Sequence, residues 1–205
     1  MRRGDLGAEI EMTRVPLVQK EVVRLANNRG VPVIIATQML GSMIENPRPT
    51  RAEASDVFNA IADGVDGVML SSETAIGKHP HRALDMMTRI VGEAERAHHD
   101  RLRVHELVSY PSPFPDAIAR GAVKAAREAS VSLIVCFTES GKSSGLMAKY
   151  RPQIPIWAFC PSEEIKRKTA LLWGVEADLM ESAVDVEEMI QRVDNRLLER
   201  SLAKR

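Results

Sequence analysis

The strongest constraint on this chain is a repeated alternation. Short apolar runs, at Val33-Ile34-Ile35-Ala36, Val68-Met69-Leu70, VSLIVCF (131–137, interrupted only by Ser132) and IPIWAFC (154–160), are separated by helix-length segments. Near-continuous apolarity of that length suits strands covered on both faces, and strand–helix alternation implies parallel pairing in an open sheet or a barrel. In such folds ligands collect beyond the carboxyl ends of the strands. Polar residues stand at those ends: Thr37-Gln38, Ser71-Ser72-Glu73-Thr74 and Thr138 onward.

The segments between the runs carry helix signals. Val15, Val18, Val22 and Leu25 make one helical stripe over 15–29, stopped by Gly30. Residues 41–50, with Gly41, Pro47 and Pro49, read as a loop. Thr50 with Glu53 reads as a capping box for a helix that ends at Gly64, and a further helix is expected over 80–99. The pattern then breaks. SYPSPFPD holds three prolines in eight residues, so 100–115 is expected to be a linker between a first unit (1–99) and a second (116–205). The second unit reads as a helix from Asp116, a strand at 131–137, a helix over about 143–151, a strand at 154–160, a helix ending at Gly174, a third strand in VEADLM and a closing helix.

Composition narrows the function classes. The 205 residues are 44% hydrophobic, with 28 basic against 28 acidic side chains. That is the make-up of a globular protein, without the basic excess of a nucleic-acid binder. No apolar stretch approaches the roughly 20 residues needed to cross a bilayer, and the start lacks a signal-peptide pattern. Cys136 and Cys160 lie in or beside apolar runs and read as buried reduced thiols, consistent with a cytoplasmic location. The five histidines show no helix-spaced ligand pattern with a carboxylate.

Three stretches can do chemistry. Arg3-Gly4-Asp5 reads as a strand end turning into a loop, where backbone N–H groups meet an anion and the carboxylate meets a divalent metal; a turn with an Asx hydrogen bond explains it as well. Thr37 can donate its hydroxyl to a substrate carboxylate or cap its own loop, and Ser71, Ser72, Glu73 and Thr74 carry the same ambiguity. In TESGKSSG (138–145), Thr138, Ser140, Ser143 and Ser144 supply hydroxyls. Gly141 and Gly145 allow close approach, Lys142 supplies charge, and Glu139 lies among them. A loop entering a helix N-terminus favours phosphate, although the spacing is not that of a Walker A loop.

Taken together, RGDLGAEI, VIIATQMLGSMIENPRPTRAEASDVFNAIADGVDGVMLSSETAIGKHP and TESGKSSGLMAKYRP resemble pyruvate kinase over nearly the whole chain. The resemblance implies an α/β fold: the last strands and helices of a (β/α)8 barrel, followed by an incomplete α/β C-terminal regulatory domain with a mostly parallel sheet. It implies phosphoryl transfer from phosphoenolpyruvate to ADP, with Mg²⁺ or Mn²⁺ and K⁺. By this resemblance Asp5 is a metal ligand. Gly4, Asp5 and Thr37 bind the substrate carboxylate, and Thr37, Ser71 and Glu73 are catalytic, the last two on the solvent and proton-relay side. Residues Thr138, Glu139, Ser140, Gly141, Lys142, Ser143 and Ser144 bind the phosphate of a sugar-phosphate effector. Within the matched region Arg2 stands where a small residue is usual and Ser72 replaces a glycine.

The resemblance also implies a chain cut at both ends, since the family's other metal, phosphoryl and nucleotide contacts lie before RGD. Catalytic incompleteness is therefore expected. The alternative is a non-catalytic module that binds phosphate or associates with another subunit. A barrel remnant should expose apolar edges and self-associate.

Overall fold

The computed structural model describes residues 1–98, 113–181, 185–200 and 202. The first unit contains α1 (Arg3–Glu9), α2 (Val15–Arg29), β1 (Ile34–Ala36), α3 (Arg51–Ala62), β2 (Gly67–Met69), the single turn α4 (Ser72–Ala75) and α5 (Pro80–His98). β1 and β2 pair in parallel, with Ile34 opposite Gly67. On the other side of β1, the Ala36 amide donates to the Met1 carbonyl at 2.9 Å and Arg2 bridges Ala36 in parallel. Met1 and Arg2 thus lie as a strand stub beside β1, and the described strands form parallel sheets without closing a barrel.

The alternation expected from sequence is present, with three local differences in this unit. The strand runs are shorter than the apolar runs, because Val33 and Leu70 lie outside the ladder. Arg3-Gly4-Asp5 is not a loop: these residues open α1, which starts directly from the strand stub. The third difference concerns Glu73, whose place in a polar strand-end cluster leaves capping as an open reading. It is 3% exposed and points inward. The capping box is formed as expected, with the Glu53 amide donating to Thr50 Oγ1 at 3.2 Å and the Thr50 amide to Glu53 Oε2 at 2.8 Å. The core packs Val23 and Ile35 with Met39, Leu40, Val57 and Ile61, so α2 and α3 lie against β1 and the turn that follows it.

The second unit contains α6 (Pro113–Glu128), β3 (Ile134–Phe137), α7 (Lys142–Lys149), β4 (Ile156–Cys160), α8 (Glu163–Thr169), β5 (Val175–Leu179) and α9 (Val186–Glu199). The strands form a parallel sheet in the order β3-β4-β5. All five residues of the central β4 are buried. Ile156 and Ala158 face a cluster with Val123, Ala126 and Met147 of α6 and α7, while Trp157 and Phe159 face Val193 and Leu197 of α9. Helices therefore cover both faces, which is why IPIWAFC is apolar at every position.

The expected linker falls largely outside the described residues; positions 113–115 form the start of α6, placing Asp116 inside its first turn rather than at its beginning. There Asp116 pairs with Lys149, at the end of α7, at 2.9 Å with both side chains fully buried. α8 ends at Thr169, well before Gly174, because Thr169 Oγ1 donates back to the Lys166 carbonyl and the chain turns at Leu172.

Candidate functional site

The turn after β1 and the start of α1 meet. Thr37 and Gln38 both have left-handed backbones, with φ of 70° and 56°. The Gly4 amide donates to Thr37 Oγ1 at 3.0 Å. Two motifs 33 residues apart are thereby joined at the carboxyl end of the parallel strands. Arg3 is 7% exposed, and its guanidinium donates to the Gln38 carbonyl at 2.6 Å, lies 3.4 Å from the Thr37 carbonyl and pairs with Asp56 of α3. Asp5, one residue beyond Gly4, is largely exposed and pairs with Arg2 at 2.8 Å.

The β2 end closes the same region from the other side. Glu73 Oε1 accepts from the Leu40 amide at 3.0 Å and Oε2 from the Ser71 amide at 2.9 Å. Its carboxylate ties the turn after β1 to the turn after β2. Ser71 itself is exposed, and its carbonyl accepts from the Thr74 hydroxyl and from the amides of Thr74 and Ala75. The Thr74 hydroxyl is thus spent on the Ser71 carbonyl, the Ser71 side chain makes no cap hydrogen bond to α4, and Glu73 is a brace. Gly77 permits this arrangement: a Cβ there would stand 2.4 Å from the Glu73 carbonyl oxygen.

The loop at 138–145 lies between β3 and α7. Gly141 is left-handed, with φ 84°, and precedes α7 without a side-chain cap. Ser144 is fully buried, its hydroxyl donating to the Gly141 carbonyl at 3.0 Å. Thr138 is 5% exposed; its amide donates to the Phe159 carbonyl, while its hydroxyl has no hydrogen-bond partner. Glu139, Ser140, Lys142 and Ser143 are exposed around the loop. Burial pushes the Cys136 thiol, one strand residue before Phe137, up to about 12, and burial also raises Cys160, so both sites favour the protonated thiol.

The two units are joined through residues that patterning did not single out. Arg151, just after α7, is left-handed and buried. Its Nη1 pairs with Asp66 at 2.6 Å, and its Nη2 donates to the Gly64 carbonyl at 2.6 Å and to Asn27 at 2.8 Å. The Trp173 ring lies 5.2 Å from the guanidinium carbon, and the Trp173 amide donates to Asp66 at 3.3 Å. Arg3 was equally silent in the periodicity; its adjacency to Gly4-Asp5 was the one available signal.

Among the described residues, no group of three or more His, Cys, Asp or Glu side chains is placed to hold a metal ion. Asp5, already paired to Arg2, offers one carboxylate. The residues present do not make a divalent-metal site by themselves. No described helix is long and apolar enough to cross a membrane.

Residues 1–84 match the family model described as pyruvate kinase, barrel domain, and residues 116–205 match the one described as pyruvate kinase, alpha/beta domain. The pyruvate kinase of Clostridium acetobutylicum is 42% identical over 198 residues, covering 96% of this chain and 42% of that protein. That of Geobacillus stearothermophilus is 49% identical over 175 residues, covering 84% of this chain and 30% of that protein. A crystal structure of a pyruvate kinase from Cryptosporidium parvum superposes with a TM-score of 0.87 at 38% identity, over 98% of this chain and 41% of the other. The chain thus spans about two fifths of the length of several such relatives. The chain belongs to the pyruvate kinase family.

Proposed function

We propose that this chain serves phosphoryl transfer between phosphoenolpyruvate and ADP as the barrel-end and regulatory part of a pyruvate kinase, and that it is catalytically incomplete alone. The reading divides it into a barrel part (1–99), a linker (100–115) and an effector-binding part (116–205). The observation that carries it is the 3.0 Å hydrogen bond from the Gly4 amide to Thr37 Oγ1. That bond sets main-chain amides at the start of α1 beside a hydroxyl, at the place where an α/β fold binds ligands.

Phosphoryl transfer needs positioning and charge neutralisation more than covalent help. In this reading the Asp5 amide and the Thr37 hydroxyl hold the substrate carboxylate, and the Gly4 amide, whose one N–H goes to Thr37 Oγ1, serves the same site by holding that hydroxyl in place. Thr37 Oγ1 already accepts from Gly4, so its own O–H is the group left to donate. Ser71 and Glu73 belong to the same end of the barrel, with Glu73 acting through the two amides it holds. Mg²⁺ or Mn²⁺, with K⁺, supplies charge neutralisation in the family; Asp5 contributes one ligand towards it and the remaining donors come from outside this chain.

A second function is favoured by a specific observation. The unpartnered Thr138 hydroxyl stands at the head of a loop whose helix entrance has no side-chain cap. Thr138 to Ser144 would bind the phosphate of a sugar-phosphate effector, with Lys142 as the cation, and this function does not require turnover. Self-association is part of the proposal, because Met12, Leu17, Leu25 and Met69 expose apolar surface on the barrel part.

The test of the barrel site is an NMR titration with oxalate, a dicarboxylate mimic of the enolate, in the presence of Mg²⁺. The amides of Gly4, Asp5 and Thr37 should shift together. Shifts confined to surface lysines and arginines would refute the site. In a lactate dehydrogenase-coupled assay the isolated chain should show no turnover above background, and measurable turnover would overturn its incompleteness.

A further inference from the structure

Thr37 and Gln38 hold consecutive left-handed backbones although neither is glycine or asparagine, and Thr37 is β-branched. Such conformations persist only where the surroundings over-determine them. What does so here is one peptide unit of the opposing segment. The Arg3 side chain holds the carbonyl side of the turn, at 2.6 Å from the Gln38 oxygen and 3.4 Å from that of Thr37, while the next residue's amide holds the Thr37 hydroxyl. Met39 Sδ, 3.3 Å from Arg3 Nη2, closes the pocket around the guanidinium. The guanidinium is anchored at its other nitrogen by Asp56, on α3.

We propose that Arg3, seated by Asp56, is a positioning residue that fixes the direction of the Thr37 hydroxyl. The assignment of a substrate to that hydroxyl rests on the proposed function above; the geometric role of Arg3 does not. A planar fork is suited to this task, since it presents donors to a carboxylate and to main-chain carbonyls at once. An ammonium group can point its charge at Asp56 or at the Gln38 carbonyl, without the fixed spread that reaches both. Arg3 thereby converts the position of α3 into the orientation of one oxygen on the turn after β1. With the Gly4 N–H occupying an Oγ1 lone pair and the backbone held from below, the hydroxyl proton is the free end of the arrangement.

The test uses NMR of the whole chain and three variants: Arg3→Met, Arg3→Lys and Asp56→Asn. In Arg3→Met, the Thr37 ¹³Cα and ¹³Cβ shifts should leave left-handed values and the Gly4 amide should exchange at least about tenfold faster. The Ile156 amide, in the second unit, should keep its exchange rate. Arg3→Lys should recover part of the Gly4 protection, and Asp56→Asn should produce a smaller change in the same direction. Unchanged Thr37 shifts and Gly4 exchange in a folded Arg3→Met chain would overturn the proposal. If Arg3→Met does not fold, Asp56→Asn decides: no change at Thr37 and Gly4 contradicts the proposal.

Oxalate separates the two readings. A wild-type Thr37 that ignores oxalate while its conformation depends on Arg3 sinks the substrate assignment alone. A Thr37 that responds to oxalate identically in wild type and Arg3→Met sinks the positioning role alone.

Discussion

Replacing Arg151 with methionine keeps most of the side-chain volume and removes the charge that joins the two units. Arg151 and Asp66 are 5% and 4% exposed at their side chains, so Asp66 would be left as a buried carboxylate. Removing one partner of a buried pair typically costs about 3–5 kcal/mol. Asp66 keeps the Val33 amide at 2.9 Å and the Trp173 amide at 3.3 Å, which offsets part of that cost. Against this, Asn27 Oδ1 loses its Arg151 donor, the Gly64 carbonyl loses one of two donors and keeps Asn27 Nδ2 at 3.0 Å, and the contact with the Trp173 ring disappears. The expected net loss is about 3 kcal/mol, a large share of the roughly 5–15 kcal/mol that stabilises a typical domain. Urea denaturation followed by tryptophan fluorescence and far-ultraviolet circular dichroism measures it. With the second tryptophan removed by Trp157→Phe in both proteins, Trp173 at the junction should report earlier than the helical signal in Arg151→Met, whereas the two probes coincide when Arg151 is present. The double variant Arg151→Met/Asp66→Asn should be less destabilised than the two single losses added together, because neither charge is then stranded. A cost below about 0.5 kcal/mol for Arg151→Met, with coincident probes, would refute the buried-pair argument.

Other outcomes follow from the same chemistry. Burial works to raise the Glu53 pKa, but hydrogen bonds from the amides and hydroxyls of Ser42 and Thr50 outweigh it and hold the carboxyl below its usual value. A depressed carboxylate contributes stability above its unfolded pKa of about 4.3 and loses it as pH falls through the lower folded value. Glu53→Gln should therefore flatten the acid limb of the stability–pH curve below about pH 5, and an unaltered limb contradicts this. With the Cys136 thiol pushed up to about 12, neither it nor buried Cys160 should react with a thiol reagent at pH 8 until the chain is unfolded; fast labelling of the folded chain would contradict the burial. Sizing chromatography should find an oligomer or concentration-dependent association, and a monodisperse monomer would count against the exposed apolar surface driving assembly.

Much of the fold was legible because it was written in local chemistry. IPIWAFC reads as a strand covered on both faces, and the Thr50–Glu53 box marks the start of α3 from sequence alone. The polar ends of the strands were legible for the same reason, since a turn needs hydroxyls whether or not it binds anything. What was not legible depends on partners distant in sequence. Nothing near Glu73 signals that its carboxylate turns inward to the Leu40 amide, and nothing near Arg151 signals Asp66. The Arg3-Gly4-Asp5 segment looked like a loop because its glycine is a poor helix former. It is helical because the strand stub at Met1 and Arg2, and the grip on Thr37, set the entry angle of α1. The start of α6 was misplaced because prolines read as linker also fit the first turn of a helix.

The claim that this chain keeps an anion-binding loop at Thr138 to Ser144 is tested most directly by thermal denaturation in inorganic phosphate. At a phosphate concentration about 100 times the dissociation constant, binding to the folded state alone adds about 2.7 kcal/mol. The midpoint should rise with phosphate in wild type and stay flat in Lys142→Ala and Thr138→Val. An equal rise in all three proteins, or none in wild type, would contradict the account.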